Sequence, residues 1–214
     1  MIQITLPDQS VREYPEGITG YEIASSISPR LAKDVLSVSV NGEVWDLTRK
    51  INNDSKIKLH TWDDREGKET FWHTSAHLMA EAIEFFYPGT KFGIGPTVDT
   101  GFYYDIDLPA GAQLSDKDLE KIEQKMLEMA RLKNDIVRTE ISKTDALSLF
   151  TQKNDNLKLE LISELEDGTI TLYKQGNFTD LCRGPHLPNT EFIKAIKLTL
   201  LPGHTGGATK KTKC

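Results

Sequence analysis

The chain has 214 residues, with 26 basic and 32 acidic side chains, a net charge of −6 and 38% hydrophobic residues. That allows one large domain or two small ones, gives no general attraction to nucleic acid and leaves no apolar run long enough to cross a membrane. Two cysteines, Cys182 and Cys214, make no disulfide framework, and the start Met1-Ile2-Gln3-Ile4 lacks the basic-then-apolar pattern of a signal peptide, so a reducing, cytoplasmic setting is expected.

In chain order, residues 2–6 and 10–14 alternate about Asp8-Gln9 and predict a β-hairpin. Gly20–Ile27 predicts a helix, with Thr19 and Glu22 at capping-box spacing and Ile23 and Ile27 on one face, ended by Ser28-Pro29. Val35–Val40 and Glu43–Leu47 predict strands around the Asn41-Gly42 turn, and Ile57–His60 a further strand. This order is that of a small ubiquitin-like β-grasp domain over residues 1–62, and the apolar-free stretch 63–69 reads as a linker. A central helix is expected from about residue 70 to Phe86, stopped by Pro88-Gly89, with Trp72, Ala76, Met79, Ile83 and Phe86 facing the core.

Beyond it, Phe92–Pro96 and Gly101–Ile106 predict two strands turning near Asp99. Ser115 caps a second helix with an apolar stripe of Leu119, Ile122, Met126, Met129 and Leu132. Asp135–Ile141 predicts a strand, Lys143–Phe150 a helix capped by Ser142, and Thr169–Tyr173 a strand. Leu157–Leu161 fits strand or helix, its alternation suiting a strand. The whole is α+β: a β-grasp domain, then a larger α+β domain at 70–200 with a mainly antiparallel sheet and a central helix.

His73 and His77 lie one helical turn apart and so share a face. They are not the zinc-protease pair, because Thr74 stands where that motif needs glutamate. Far along the chain, Asp180-Leu181-Cys182-Arg183-Gly184-Pro185-His186 is a turn that aims Cys182 and His186 from a rigid loop. Taken singly, a helical histidine is an ordinary half-buried residue and a lone cysteine a small apolar filler. Together, three imidazoles and a thiolate are a tetrahedral zinc set by type and number; they are equally a metal-free pocket that positions water.

These blocks, with Phe92-Gly93-Ile94-Gly95-Pro96, Gly101-Phe102-Tyr103-Tyr104-Asp105 and Lys158-Leu159-Glu160, closely resemble bacterial threonyl-tRNA synthetases, over residues 1 to about 199. The resemblance implies a TGS domain at 1–62 and a tRNA-editing domain at 70–200 that hydrolyses mischarged seryl-tRNA(Thr). The family's aminoacylation domain, with its ATP, magnesium and zinc, is not expected here. It further implies His73, Lys158, His77 and Cys182 as catalytic residues, with Asp180, His186 and Tyr104 around the substrate. His73 is expected to orient or deprotonate water, Lys158 to meet developing negative charge, and Asp180 to hold the serine amino or hydroxyl group. Lys158 read alone is also a solvated strand lysine, Asp180 a turn cap and Tyr104 core. No metal is favoured; were zinc held, its ligands would be His73, His77, Cys182 and His186. The expected partner is the acceptor end of tRNA(Thr) carrying serine, with Arg183, Lys194 and Lys197 as candidate phosphate contacts. No membrane partner is expected, and the fragment is expected to be a monomer, dimerisation in the family resting on other domains. The alternatives are an inactive tRNA-binding fragment or a free-standing, zinc-dependent deacylase.

After Thr199 the likeness is expected to stop. A DNA string encoding a family-like Ala-Gly-Ala-Tyr-Trp-Arg-Gly-Asp stretch, read one base later, gives Pro202–Cys214 as it stands. Residues 201–214 are therefore expected to be a frame-shifted, unstructured tail in which His204 and Cys214 carry no function.

Overall fold

A computed structural model describes residues 1–98 and 100–199. The turn at Asp99 and the expected tail at 201–214, with His204 and Cys214, lie outside the described residues.

The N-terminal domain comprises β1 (Ile2–Thr5), β2 (Val11–Tyr14), β3 (Ile18–Thr19), α1 (Gly20–Ile27), α2 (Pro29–Asp34), β4 (Ser37–Val40), β5 (Glu43–Trp45), β6 (Lys50–Ile51) and β7 (Ser55–His60). Its main sheet runs β2-β1-β7-β4-β5, antiparallel except for the central β1–β7 pair. This is the β-grasp expected: Ile23 and Ala24 of α1 are buried in one core with Ile4, Val38, Leu47 and Ile57. The Thr19–Glu22 capping box forms, and Asn41 (φ 51°) and Gly42 (φ 93°) make the hairpin turn. Ser28-Pro29 does more than end α1. The Ser28 hydroxyl accepts from Arg30 and Leu31 N–H, and Pro29 opens α2, a helix not predicted.

The C-terminal domain is built on α3 (Arg65–Phe86), a 22-residue helix. The expected linker at 63–69 is thus mostly its first turn, poor in apolar residues because that turn is largely solvated. Arg65 and Glu69 pair there at 2.7 Å, one turn apart. Gly67 is needed where α3 meets the outgoing chain: a Cβ there would stand 2.0 Å from the Thr61 carbonyl oxygen. Two small ladders follow, β8 (Lys91–Phe92) with β11 (Ile106–Asp107) and β9 (Thr97–Val98) with β10 (Gly101–Phe102), so the predicted strand pair is real but interrupted. Next come α4 (Asp116–Arg131), β12 (Val137–Glu140), α5 (Lys143–Gln152), α6 (Asn156–Glu164), β13 (Thr171–Gln175) and β14 (Phe178–Leu181). The last strands form an antiparallel sheet in the order β12-β13-β14.

Three expectations need correction. Residues 157–161 are helical: the Asp155 carboxylate caps α6 by accepting from Lys158 N–H, and Lys158 and Ile162, one turn apart, face inward. The Leu157/159/161 alternation misleads, because Leu157 is 42% exposed. Leu132 lies past the end of α4 and is exposed, the α4 stripe ending at buried Ala130. The strand expected at 135–141 is shorter, Asp135 making an isolated bridge to Asn189. The main core joins α3 residues Leu78, Met79 and Ile83 to Ile122 and Met126 of α4 and to Tyr173 and Phe178 of the sheet.

Candidate hydrolytic site

Helix α3 presents His73 and His77 toward the chain that leaves β14. There Cys182 Sγ lies 3.2 Å from His73 Nε2 and 3.2 Å from His186 Nε2. The ligand atoms of His73, His77, Cys182 and His186 all lie within 4.8 Å of one another. The predicted convergence of helix and turn is therefore present. His186 packs at a tilt against both helical imidazoles, with ring centroids 4.2 Å from His73 and 4.3 Å from His77. His77 also meets Phe178 edge-on.

The His186 tautomer follows from its remaining partners. The Thr74 hydroxyl spends its proton on the Thr70 carbonyl at 2.9 Å and so accepts from His186 Nδ1 at 3.2 Å. His186 Nε2 is then a lone pair that accepts from the Cys182 thiol at 3.2 Å. Burial holds His73 down to about 4 and drives His77 and His186 well below the usual histidine range, His77 further through His73 and Lys158 and His186 further through His77 and His73. Burial also pushes the Cys182 thiol up to about 12, only partly offset by the Gly184 N–H it accepts at 3.3 Å. At neutral pH this is a cluster of uncharged imidazoles around a protonated thiol.

Beside it lies a second cluster. Lys158 Nζ donates to Asp180 Oδ2 at 3.0 Å and to the Gly93 carbonyl at 3.1 Å, and Tyr104 OH donates to the same Asp180 oxygen at 2.9 Å. Both charged side chains are buried, so Lys158 is neither solvated nor on a strand. Burial, then the Asp180 charge, pushes the Tyr104 phenol well above its ordinary range, keeping it a donor. Every sequence-predicted site residue therefore falls in one of two adjacent clusters. Of the candidate RNA contacts, Arg183 stands exposed in the site turn beside Cys182, whereas Lys197 pairs with Glu123 at 3.0 Å and Lys194 lines a different cavity.

His73 opens onto a cavity of about 380 Å³ bordered by Thr70, Gly95, Pro96, Gly184, Pro185 and Val44 of the N-terminal domain. A larger cavity, about 1000 Å³, lies between the domains and includes Arg49, Arg138 and Lys194. Among the site residues named, it is the smaller one that carries a reactive group, so chemistry rather than size selects it.

The comparisons fit this geometry. Residues 2–61 match the TGS domain, and residues 170–213, which include Asp180, Cys182 and His186, match the threonyl and alanyl tRNA synthetase second additional domain. The chain carries a match to each of these two domains. It is 59% identical over 213 residues to the threonine–tRNA ligase of Porphyromonas gingivalis W83, covering 100% of this chain and 33% of that protein. The corresponding ligase of Cytophaga hutchinsonii is 58% identical over 213 residues, and that of Bacteroides thetaiotaomicron 60% over 203, or 95% of this chain. The chain thus spans about a third of the length of these relatives. The second additional domain match runs to residue 213, beyond Thr199 where the sequence likeness was expected to stop.

Sequence reasoning missed three residues that hold the second additional domain's site together. Thr74, between the two histidines, accepts from Leu187 N–H at 3.0 Å and fixes the His186 tautomer. Tyr173, on β13, stacks on His186 at 4.5 Å. Its hydroxyl occupies the space of a Gly184 side chain: a Cβ there would stand 2.1 Å from it, and Gly184 has φ 74° besides. Asp46 comes from the TGS domain. Of these, Thr74 alone left a signal, its adjacency to both histidines.

Proposed function

We propose that the site hydrolyses the aminoacyl ester of tRNA mischarged with serine. Threonine and serine differ by one methyl, worth about 1–3 kcal/mol in a binding pocket, too little to exclude the smaller amino acid by fit. A second pocket that admits serine and rejects threonine supplies the missing discrimination. The reaction forms a bond from water oxygen to the ester carbonyl carbon and breaks the bond to the ribose oxygen, which receives the proton.

The observation that carries this reading is the meeting of His73 Nε2 with Cys182 and His186, next to the Lys158–Asp180–Tyr104 cluster. A neutral His73 accepts a hydrogen bond from water and orients it. The Lys158 ammonium commits two N–H groups, to Asp180 and Gly93, and keeps a third for the oxyanion or the departing ribose oxygen. Among the described residues, Asp180 Oδ1 takes only the Leu181 N–H and retains capacity for the substrate ammonium or hydroxyl. His77, His186 and Cys182 shape the floor; Cys182, held as a thiol, is not a nucleophile.

The donor set also suits zinc by type: His73, His77, Cys182 and His186 would hold it. Bound there with one of the four positions left open, the metal would supply a polarised water. No step above depends on it.

The test is deacylation of preformed seryl- and threonyl-tRNA by this chain. Rapid release of serine with threonine spared supports the reading; equal rates, or none, rejects it.

A further inference from the structure

One TGS-domain side chain reaches into the second additional domain beside the hydrolytic site. Asp46 follows β5 and is 7% exposed. Its Oδ1 accepts from the His186 backbone N–H at 2.7 Å, and its Oδ2 accepts from the Tyr173 hydroxyl at 2.8 Å. These contacts bridge 140 and 127 residues of chain respectively. The first ends on the turn that carries Cys182 and His186, the second on β13 directly beneath that turn. The first fixes the backbone of His186. The second holds the Tyr173 ring against the His186 imidazole and its hydroxyl in the space beneath Gly184. The turn carries two site contacts, Gly184 N–H on Cys182 Sγ and His186 Nε2 on Cys182, and Cys182 Sγ in turn meets His73 Nε2.

We propose that Asp46 is a positioning residue for the hydrolytic site, so that the TGS domain sets the placement of His186 and, through the turn, of His73. The inference rests on the reading of the site as a hydrolase. A carboxylate suits this place because it accepts on both oxygens. Asparagine accepts on one; its amide can only donate to the Tyr173 oxygen, reversing that bond, or, turned the other way, face the His186 N–H donor to donor. A residue that served only to dock the two domains would need contacts with the domain surface. Asp46 instead spends both oxygens on the backbone and ring support of one site residue.

The test uses the full chain with 15N-labelled histidine. Ring signals are assigned by single histidine-to-asparagine variants, and seryl-tRNA hydrolysis is measured alongside. In Asp46→Asn and Asp46→Ala the His186 and His73 ring signals should move while that of His60, within the TGS domain, stays in place. The kcat should fall about tenfold or more with KM little changed, as for lost orientation of a reacting group. Unmoved His186 and His73 signals with wild-type kcat overturn the proposal, as does a loss confined to KM. If wild-type protein hydrolyses nothing, the hydrolase reading fails, and the ring signals alone decide whether Asp46 positions the turn. If the Asp46 variants do not fold, Tyr173→Phe removes one of the two bonds at nearly constant volume. It should move the same ring signals by less, and no movement overturns the proposal.

Discussion

Lys158 and Asp180, 22 residues apart, form a buried ion pair with Nζ 3.0 Å from Oδ2 and both side chains about 5% exposed or less. One partner stands on α6 and the other on β14, so the pair also pins the small helical subdomain to the sheet. Lys158→Met should leave Asp180 as a buried, uncompensated charge retaining only Tyr104 and Leu181 as donors. We expect a loss of about 3–5 kcal/mol in chemical denaturation. Seryl-ester hydrolysis should fall further than stability explains when measured well below the melting temperature. The double variant Lys158→Met/Asp180→Leu should recover much of the stability and none of the activity. Recovery of both would remove the pair from the chemistry.

His73 supplies the lone pair nearest the cavity, whereas Cys182 is a neutral thiol. His73→Ala should therefore reduce hydrolysis by about 100-fold or more, the usual scale of a lost acid–base group. Cys182→Ser, which keeps a small donor between the two imidazoles, should cost much less. Chelator-treated protein should keep its rate, and metal analysis of purified protein should show substoichiometric zinc. Stoichiometric zinc that vanishes in Cys182→Ala would instead establish a metal centre on the four clustered ligands.

What the sequence discloses here is what local rules encode. The β-grasp was legible because Thr19–Glu22 and Asn41-Gly42 announce their own geometry; the α3 stripe was legible only in part, because Thr74 to Ile83 is buried without a break and Trp72 meets Trp62 outside the core cluster. The histidine–cysteine convergence was legible from residue types in two rigid elements. Residues 157–161 misled because a buried lysine breaks the apolar pattern: Lys158 faces inward for its carboxylate, not for hydrophobic contact. The first turn of α3 read as a linker for the same reason, its inward residues being Gly67 and Thr70 rather than large apolar side chains. Asp46 was illegible. Nothing in Trp45-Asp46-Leu47 hints that its carboxylate closes on a turn 140 residues away.

Gly184 stands at φ 74° with Tyr173 beneath it. Gly184→Ala adds a Cβ that meets the phenol, and the left-handed backbone disfavours any side chain by about 1–2 kcal/mol on its own. The turn must shift, and the Cys182 and His186 contacts with it. The expected result is lost hydrolysis and a lower melting temperature. Tyr173→Phe in the same chain should recover only part of either, since the Tyr173 ring carbon that bears the hydroxyl would still lie 2.7 Å from the new methyl. Full recovery of activity would mean that the turn tolerates movement and that its fixed geometry is not required.

The acid response follows from the histidines. His73 titrates near 4 in the folded protein and, like His77 and His186, is depressed chiefly by burial. An unfolded chain takes up these protons near 6.5, so between about 6.5 and 4 the unfolded state binds more protons and stability falls as the pH drops. For His73 alone the full window is worth at most about 3 kcal/mol, less what its partly open ring edge recovers by hydration. Asp46 and Glu81, raised chiefly by burial, oppose the trend nearer the carboxylate range. Denaturation midpoints should therefore decline from pH 7 to pH 5, and removing His77 or His186 with an isosteric, non-titrating residue should flatten the slope. The rate profile should differ in position: hydrolysis, corrected for unfolded protein, should stay level through pH 6.5 and fall only as His73 protonates near 4. A falling limb at pH 6.5 would mean that His73 is solvated in the working enzyme and not the enclosed base described above.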